Sequence, residues 1–188
     1  MEKKNIISLA GELSSGKGTV SKILMQELNY GIYRNGDYFR KLAKEKGMSV
    51  TEFNEYVKQY PEIDIQIENS AKEYAKDHDK FIIDARLGWY AVPQSFKVYL
   101  RVDLDVATKR AFENQDEDKK QTERFNTVEE QKADMEKRYR LENERYFDVY
   151  GVRKEDLSNY DLVIDTTDLT PNEVANIIKK KYFDWLEN

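Results

Sequence analysis

The sequence predicts a three-layer α/β fold: a five-stranded parallel sheet with helices on both faces. Three observations carry that prediction. Short apolar runs bounded by polar or turn residues recur along the chain, longer segments with helical spacing separate them, and a glycine-rich turn joins the first run to the first helical segment. Of 188 residues, 36% are charged and 39% apolar, so the core must be concentrated in those few runs.

The runs, in order, are 6–10, 30–33, 81–83, 96–102 and 162–164, of which 30–33 is the faintest. After the first comes a stripe of Val20, Ile23, Leu24 and Leu28, and after the last a stripe of Val174, Ile177, Ile178 and Tyr182, each at helical period. Thr170-Pro171-Asn172-Glu173 carries a capping threonine, proline at the first helical position and glutamate at the third. Ser49-Val50-Thr51-Glu52 repeats the capping box. The stretch 113–146 is polar, runs through Asp116-Glu117-Asp118-Lys119-Lys120, and has no strong apolar face before Tyr139, Tyr146 and Phe147. It predicts a mobile helical flap, with the charge run as a solvated face. No repeat and no Pro/Gly/Ser-rich linker divides the chain, which reads as a single domain over 1–188.

Composition excludes several classes of function. A net charge of −5 argues against a general nucleic-acid binder, which needs a basic face to displace counterions from phosphates. Without cysteine there is no disulfide framework and no thiolate chemistry, and the lone His78 builds no histidine metal cluster. The N-terminal apolar run is too short for a signal peptide, and no stretch has the length of a membrane span. The expectation is a soluble, cytoplasmic protein without membrane partners.

The motif that carries chemistry is Gly11-Glu12-Leu13-Ser14-Ser15-Gly16-Lys17-Gly18-Thr19, a G-x-x-x-x-G-K phosphate loop set between a strand and an amphipathic helix. A strand turning sharply into a helix lets successive backbone N–H groups and the helix N-terminus converge on phosphate oxygens. Gly11 and Gly16 permit that backbone. Ser14, Ser15, Gly18 and Thr19 complete the ATP-binding loop, and Lys17 neutralises the β and γ phosphates. Gly18 stands where many such loops place a hydroxyl on magnesium, so Thr19 is the candidate one position later.

A phosphotransferase also needs cations on the acceptor. Arg40 follows the faint second strand in Gly36-Asp37-Tyr38-Phe39-Arg40, and Arg86 follows the third at the edge where open α/β sheets bind ligands. Asp84, ending that third strand, is a candidate to hold Mg2+ through water. A phosphate monoester is already anionic near neutral pH, its second pKa being about 6, so no general base is required. Trp89 and Tyr90 have two readings, core packing or stacking on an acceptor base.

These residues, taken in order, resemble the nucleoside monophosphate kinases, most closely the short archaeal-type cytidylate kinases, over nearly the whole chain. Asn35-Gly36-Asp37-Tyr38-Phe39-Arg40 resembles that family's acceptor-phosphate segment, and Asp84-Ala85-Arg86-Leu87 a second one. Pro61-Glu62-Ile63-Asp64 is similar to its acceptor-binding helices, and Arg138, Glu142, Arg145-Tyr146 to its lid and the helix behind it. The resemblance implies an acceptor-binding insertion near 37–78 and a lid near 110–145. Arg110, Arg124 and Arg138 would then be lid arginines that act with Lys17 on the transferring phosphoryl group, and Gly36, Asp37, Arg40 and Arg86 would hold the acceptor. It implies ATP and Mg2+ as cofactors, small-molecule substrates and CMP or dCMP as acceptor. The residues also allow a kinase of another small acceptor, or an ATP-binding regulator with weak turnover. Three positions depart from the family's pattern: Ser14 and Ala85 replace glycines, and Glu68-Asn69-Ser70 stands for an Asp-Arg-Arg run.

Overall fold

The structure is a computed structural model and describes residues 4–114 and 125–187. The chain runs β1 (Ile6–Gly11), α1 (Lys17–Leu28), β2 (Gly31–Arg34), α2 (Asn35–Glu45), α3 (Val50–Gln59), α4 (Pro61–Asp77), β3 (Phe81–Asp84), α5 (Gly88–Ala91), β4 (Phe96–Arg101), α6 (Leu104–Glu113), α7 (Val128–Tyr150), a 3-10 turn (Leu157–Asn159), β5 (Leu162–Asp165) and α8 (Pro171–Glu187). Every strand pairing is parallel, in the order β2-β3-β1-β4-β5. The five predicted strands are the five observed, with Val102 falling one residue past the end of β4.

Every residue of β1 is buried, because its two sides face different layers. Ile7 and Leu9 pack with Val20 and Leu24 of α1 and with Val174, Ile178 and Tyr182 of α8. Ile6 packs on the opposite face with Ala75 of α4, Phe81 and Ile83. The predicted stripes of α1 and α8 are therefore the core faces, except that Ile177 is exposed. β1 lies between β3 and β4, and its connection to β2 passes beyond β3 to the sheet edge. The strand order thus reverses at β1, and the carboxyl ends of β1, β3 and β4 open onto one crevice.

Helices α2 to α4 carry a satellite core of Ala43, Phe53 and Val57 packed by Phe39, Leu42, Met48, Tyr56 and Ile63. The Ser49–Glu52 capping box starts α3 as the sequence predicts, and Thr170 and Glu173 bond reciprocally at the start of α8. In the polar stretch the structure differs from the sequence reading. Helix α7 is continuous for 23 residues and buries Met135, Glu142, Arg145 and Tyr146, whereas Phe147 is exposed. One residue is 100° of helical rotation, so Tyr146 and Phe147 cannot share a face. The run Asp116 to Lys120 lies outside the described residues.

Candidate active site

The crevice is a cleft of about 1070 Å³ lined by the phosphate loop, the starts of α1 and α2, and residues of α4, α6 and α7. The loop's shape follows from its glycines. A Cβ on Gly11 would stand 2.7 Å from the Leu100 carbonyl oxygen of β4 and 2.9 Å from Ser15 Oγ, so no larger residue fits there. Gly16 takes φ +83° as the N-cap of α1. Ser14, at the family's usual glycine position, is also left-handed, with φ +56°, which costs a non-glycine residue about 1 kcal/mol. Ser15 Oγ is buried without a hydrogen-bond partner. Ser14, Gly16, Lys17, Gly18 and Thr19 line the cleft beside it. An unpaired hydroxyl and the first N–H groups of α1, which lack intrahelical acceptors, are the donor set a phosphate requires.

Lys17 Nζ forms an ion pair with Asp84 Oδ1. Burial, then the Arg86 and Arg40 guanidiniums, push the lysine's pKa well down, against the opposing pull of Glu142. Asp84 Oδ2 accepts from Ser21 Oγ at 3.2 Å and lies 3.7 Å from Arg34 Nε. The carboxylate proposed for magnesium is therefore engaged by protein groups here. Among the described residues no group of three or more His, Asp or Glu side chains could cage a cation. A magnesium ion fits only with most of its ligands supplied by nucleotide phosphates and water; Thr19 and Asp84, the two side chains expected to assist, both line the cleft.

On the acceptor side Arg40 pairs with Asp37 at 2.6 Å, and both line the cleft with Gly36. Arg86 donates to the Gly11 carbonyl at 2.6 Å and from Nε to Glu142 Oε2 at 3.2 Å, tying β3 to the phosphate loop and to α7. The same Glu142 oxygen accepts from the buried Lys154 at 2.6 Å. Burial pushes the Glu142 pKa up, but Lys154, Arg86 and Arg138 outweigh it and hold the carboxyl well below the usual range. Burial brings Lys154 down to about 8 against the pull of Glu142, which leaves the pair ionised at neutral pH.

Of the three arginines expected in a lid, Arg138 lines the cleft from α7 in the field of Glu142. Arg110 also lines it, with its guanidinium donating to the Thr166 and Thr167 carbonyls at 3.0 and 2.9 Å. Arg124 lies outside the described residues. Trp89 is buried against Tyr99 and Tyr146, Tyr90 is exposed, and neither lines the cleft, so the stacking reading has no geometric support. In the segment departing from Asp-Arg-Arg, only Glu68 reaches the cleft. Asn69 is exposed, and Ser70 hydrogen-bonds the Tyr33 hydroxyl of β2.

The sequence reading did not single out Asn35, Asn54 or Lys154. Asn35 Nδ2 donates to Glu68 Oε2 at 3.1 Å, and Asn54 Oδ1 accepts from Arg145. The available signal was on α7: Arg138, Glu142 and Arg145 recur at i, i+4 and i+7 on the face that buries Met135 and Tyr146. A charged stripe on a buried helix face requires partners or a ligand.

A phosphate loop at the strand-order reversal, facing a second set of cations across one cleft, defines a P-loop kinase. An AAA-domain family model matches residues 7–138. A cytidylate kinase of Thermoplasma volcanium is 34% identical over 92% of this chain and 88% of its own length. An S-adenosylmethionine-dependent nucleotide dehydratase of Lacinutrix mariniflava is 36% identical over 95% of this chain, which spans 36% of that longer protein. Among solved structures, shikimate kinase from Acinetobacter baumannii superposes with a TM-score of 0.56 at 14% identity, covering 95% of this chain and 93% of that one, a likeness of fold. The chain belongs to the archaeal-type cytidylate kinase family of P-loop kinases.

Proposed function

We propose that the protein transfers the γ-phosphoryl group of ATP to CMP or dCMP. The observation that carries this reading is one cleft holding both a phosphate loop with Lys17 and a separate cation set, Arg40 and Arg86, at the carboxyl ends of the strands. Residues 11 and 14–19 would hold the ATP phosphates, and Lys17 would exchange Asp84 for their oxygens, one anion for another. Gly36, Asp37, Arg40 and Arg86 would hold the acceptor phosphate in line for attack. Arg138, joined by Arg110 and Arg124, would neutralise charge on the transferring group. Thr19, and Asp84 through water, would help hold Mg2+, which would supply neutralisation of the ATP phosphate charge.

An acceptor phosphate ionised at neutral pH needs no base, in keeping with a cleft that has no histidine. The insertion at 37–78 and the lid at 110–145 would close over both substrates within one domain and exclude water, which suppresses ATP hydrolysis. The names of both relatives put nucleotides in the chemistry, which supports a nucleotide acceptor; a soluble, cytoplasmic enzyme acting on small molecules, without nucleic-acid or membrane partners, is the setting proposed with it. The test is ADP release with Mg-ATP against CMP, dCMP, UMP, AMP, GMP and dTMP. Fastest turnover with CMP or dCMP is expected; turnover of another monophosphate retains the mechanism and discards the acceptor, and none above an acceptor-free control discards the kinase reading.

A further inference from the structure

Lys154 lies in the turn after α7, where a lysine is ordinarily solvated, yet only 2% of it is exposed. Its place is set by the chain around it. Gly151 ends α7 at φ +68°, and the Tyr160 hydroxyl, ahead of β5, donates to the Lys154 carbonyl at 2.7 Å. The side chain reaches over the Tyr139 ring, with Nζ 4.7 Å from its centre, and donates to Glu142 Oε2 at 2.6 Å. That oxygen also accepts from Arg86 Nε at 3.2 Å, and Arg138 adds to the positive field there. One carboxylate needs one counter-charge. The buried group therefore carries a surplus of positive charge, which is costly away from water and is relieved by an anion from outside. Arg86 and Glu142 line the cleft, whereas Lys154 does not.

Resting on the kinase reading above, we propose that Lys154 is a positioning residue: it holds Glu142 from behind, so that Arg86 meets the acceptor phosphate in a fixed direction and with its charge uncancelled. Arg86 bonds Glu142 through Nε and the Gly11 carbonyl through Nη1, and neither bond uses Nη2. The guanidinium is thus gripped along one side, leaving Nη2 for a phosphate oxygen. Without a charge at position 154, Glu142 would neutralise Arg86 alone and be freer to turn. Both changes weaken the guanidinium's hold on an incoming anion. The charged and titratable groups facing the ammonium are Glu142, Arg145 and Tyr139 of α7 and Arg86 beyond β3; burial, outweighing the pull of Glu142, brings its pKa down to about 8. Its charge is present at pH 7 and mostly gone at pH 9, whereas a phosphate monoester is ionised throughout that range.

Steady-state kinetics of the intact protein at saturating Mg-ATP, with the monophosphate it turns over fastest, tests the role. Lys154→Met should raise the acceptor KM roughly tenfold, the scale of one weakened charge-assisted contact, with kcat and the KM for ATP within about threefold of wild type. Lys154→Arg should restore the acceptor KM to within about threefold. From pH 7 to 9 the wild-type acceptor KM should rise about fivefold relative to that of Lys154→Arg, because the ammonium loses its proton and the guanidinium does not. Lys17 and Glu68 also titrate in the cleft, but alike in both proteins, so the difference between the two profiles belongs to position 154. Should Lys154→Met fail to fold, that pair of profiles decides. An acceptor KM unmoved by Lys154→Met, a loss confined to kcat or to melting temperature, or coincident profiles for wild type and Lys154→Arg would overturn the role and spare the kinase reading. No turnover with any monophosphate defeats both.

Discussion

The two ends of the cleft are made of different material. The phosphate end is local: within nine residues β1 turns into α1, and the groups proposed to bind there are backbone N–H groups, one hydroxyl and Lys17. The other end is assembled from side chains of α2, α3, α4 and α7, with Asn54 and Arg145 separated by 91 positions. A triphosphate looks the same to every kinase that uses it, so one loop encodes its recognition. An acceptor is told from its neighbours by a pattern of donors and acceptors, which only several elements together can present. The phosphate end is thus encoded locally, whereas the helical end exists only once α2, α3, α4 and α7 pack together.

The largest expected effect falls at the phosphate end. Lys17→Ala should lower turnover by at least about 10²-fold, the scale of removing one transition-state donor, while circular dichroism reports a folded protein. An active Lys17→Ala enzyme would break the comparison at its root. Glu142→Ala tests the seam between the ends, because it strips the buried Arg86 and Lys154 of their shared counter-charge. A loss of about 3 kcal/mol in urea unfolding is expected. An unchanged midpoint would mean that those cations reach water and that the two ends are not joined there.

At the helical end the effect is one of pH. The folded protein holds a proton on Glu68 up to about pH 8, whereas an ordinary carboxyl gives its own up near 4.5. Between those values the folded state binds more protons than the unfolded chain, so this group's contribution to stability falls as pH rises. Glu68→Gln has no proton to lose. Its melting temperature should decline less than that of wild type from pH 5 to 8, and parallel declines would show that Glu68 titrates as a surface carboxyl does. The smallest effect belongs outside the cleft. The exposed Lys132 pairs with Asp105 at 2.6 Å, and Lys132→Ala should leave melting temperature and turnover unchanged.

The contrast also explains what could be read in the sequence. The five strands and the phosphate loop are contiguous and follow local rules, hydrophobic period and glycine placement, so they were legible. Even β2 was visible, though faintly, since a four-residue edge strand buries little. That Arg40 and Arg86 would reach the cleft was legible because they follow strands whose carboxyl ends open onto it. Asn35, Asn54 and Lys154 were not, because an asparagine in a polar helix and a lysine after one carry no local sign of burial. Only tertiary packing takes them out of water. Asp64 and Glu68 stand one helical turn apart on α4, a spacing that solvated helices share.

Helix α7 carries Arg138 and Arg145, seven residues and about 10 Å of axis apart. One rod thus bears a cation proposed for the moving phosphoryl group and another that lines the helical end of the cleft, with Glu142 between them clamped to β3 through Arg86. A rotation of the rod that moves one guanidinium moves the other. The two positions are thus mechanically one piece, whereas a side chain of α2 to α4 can change without turning the rod.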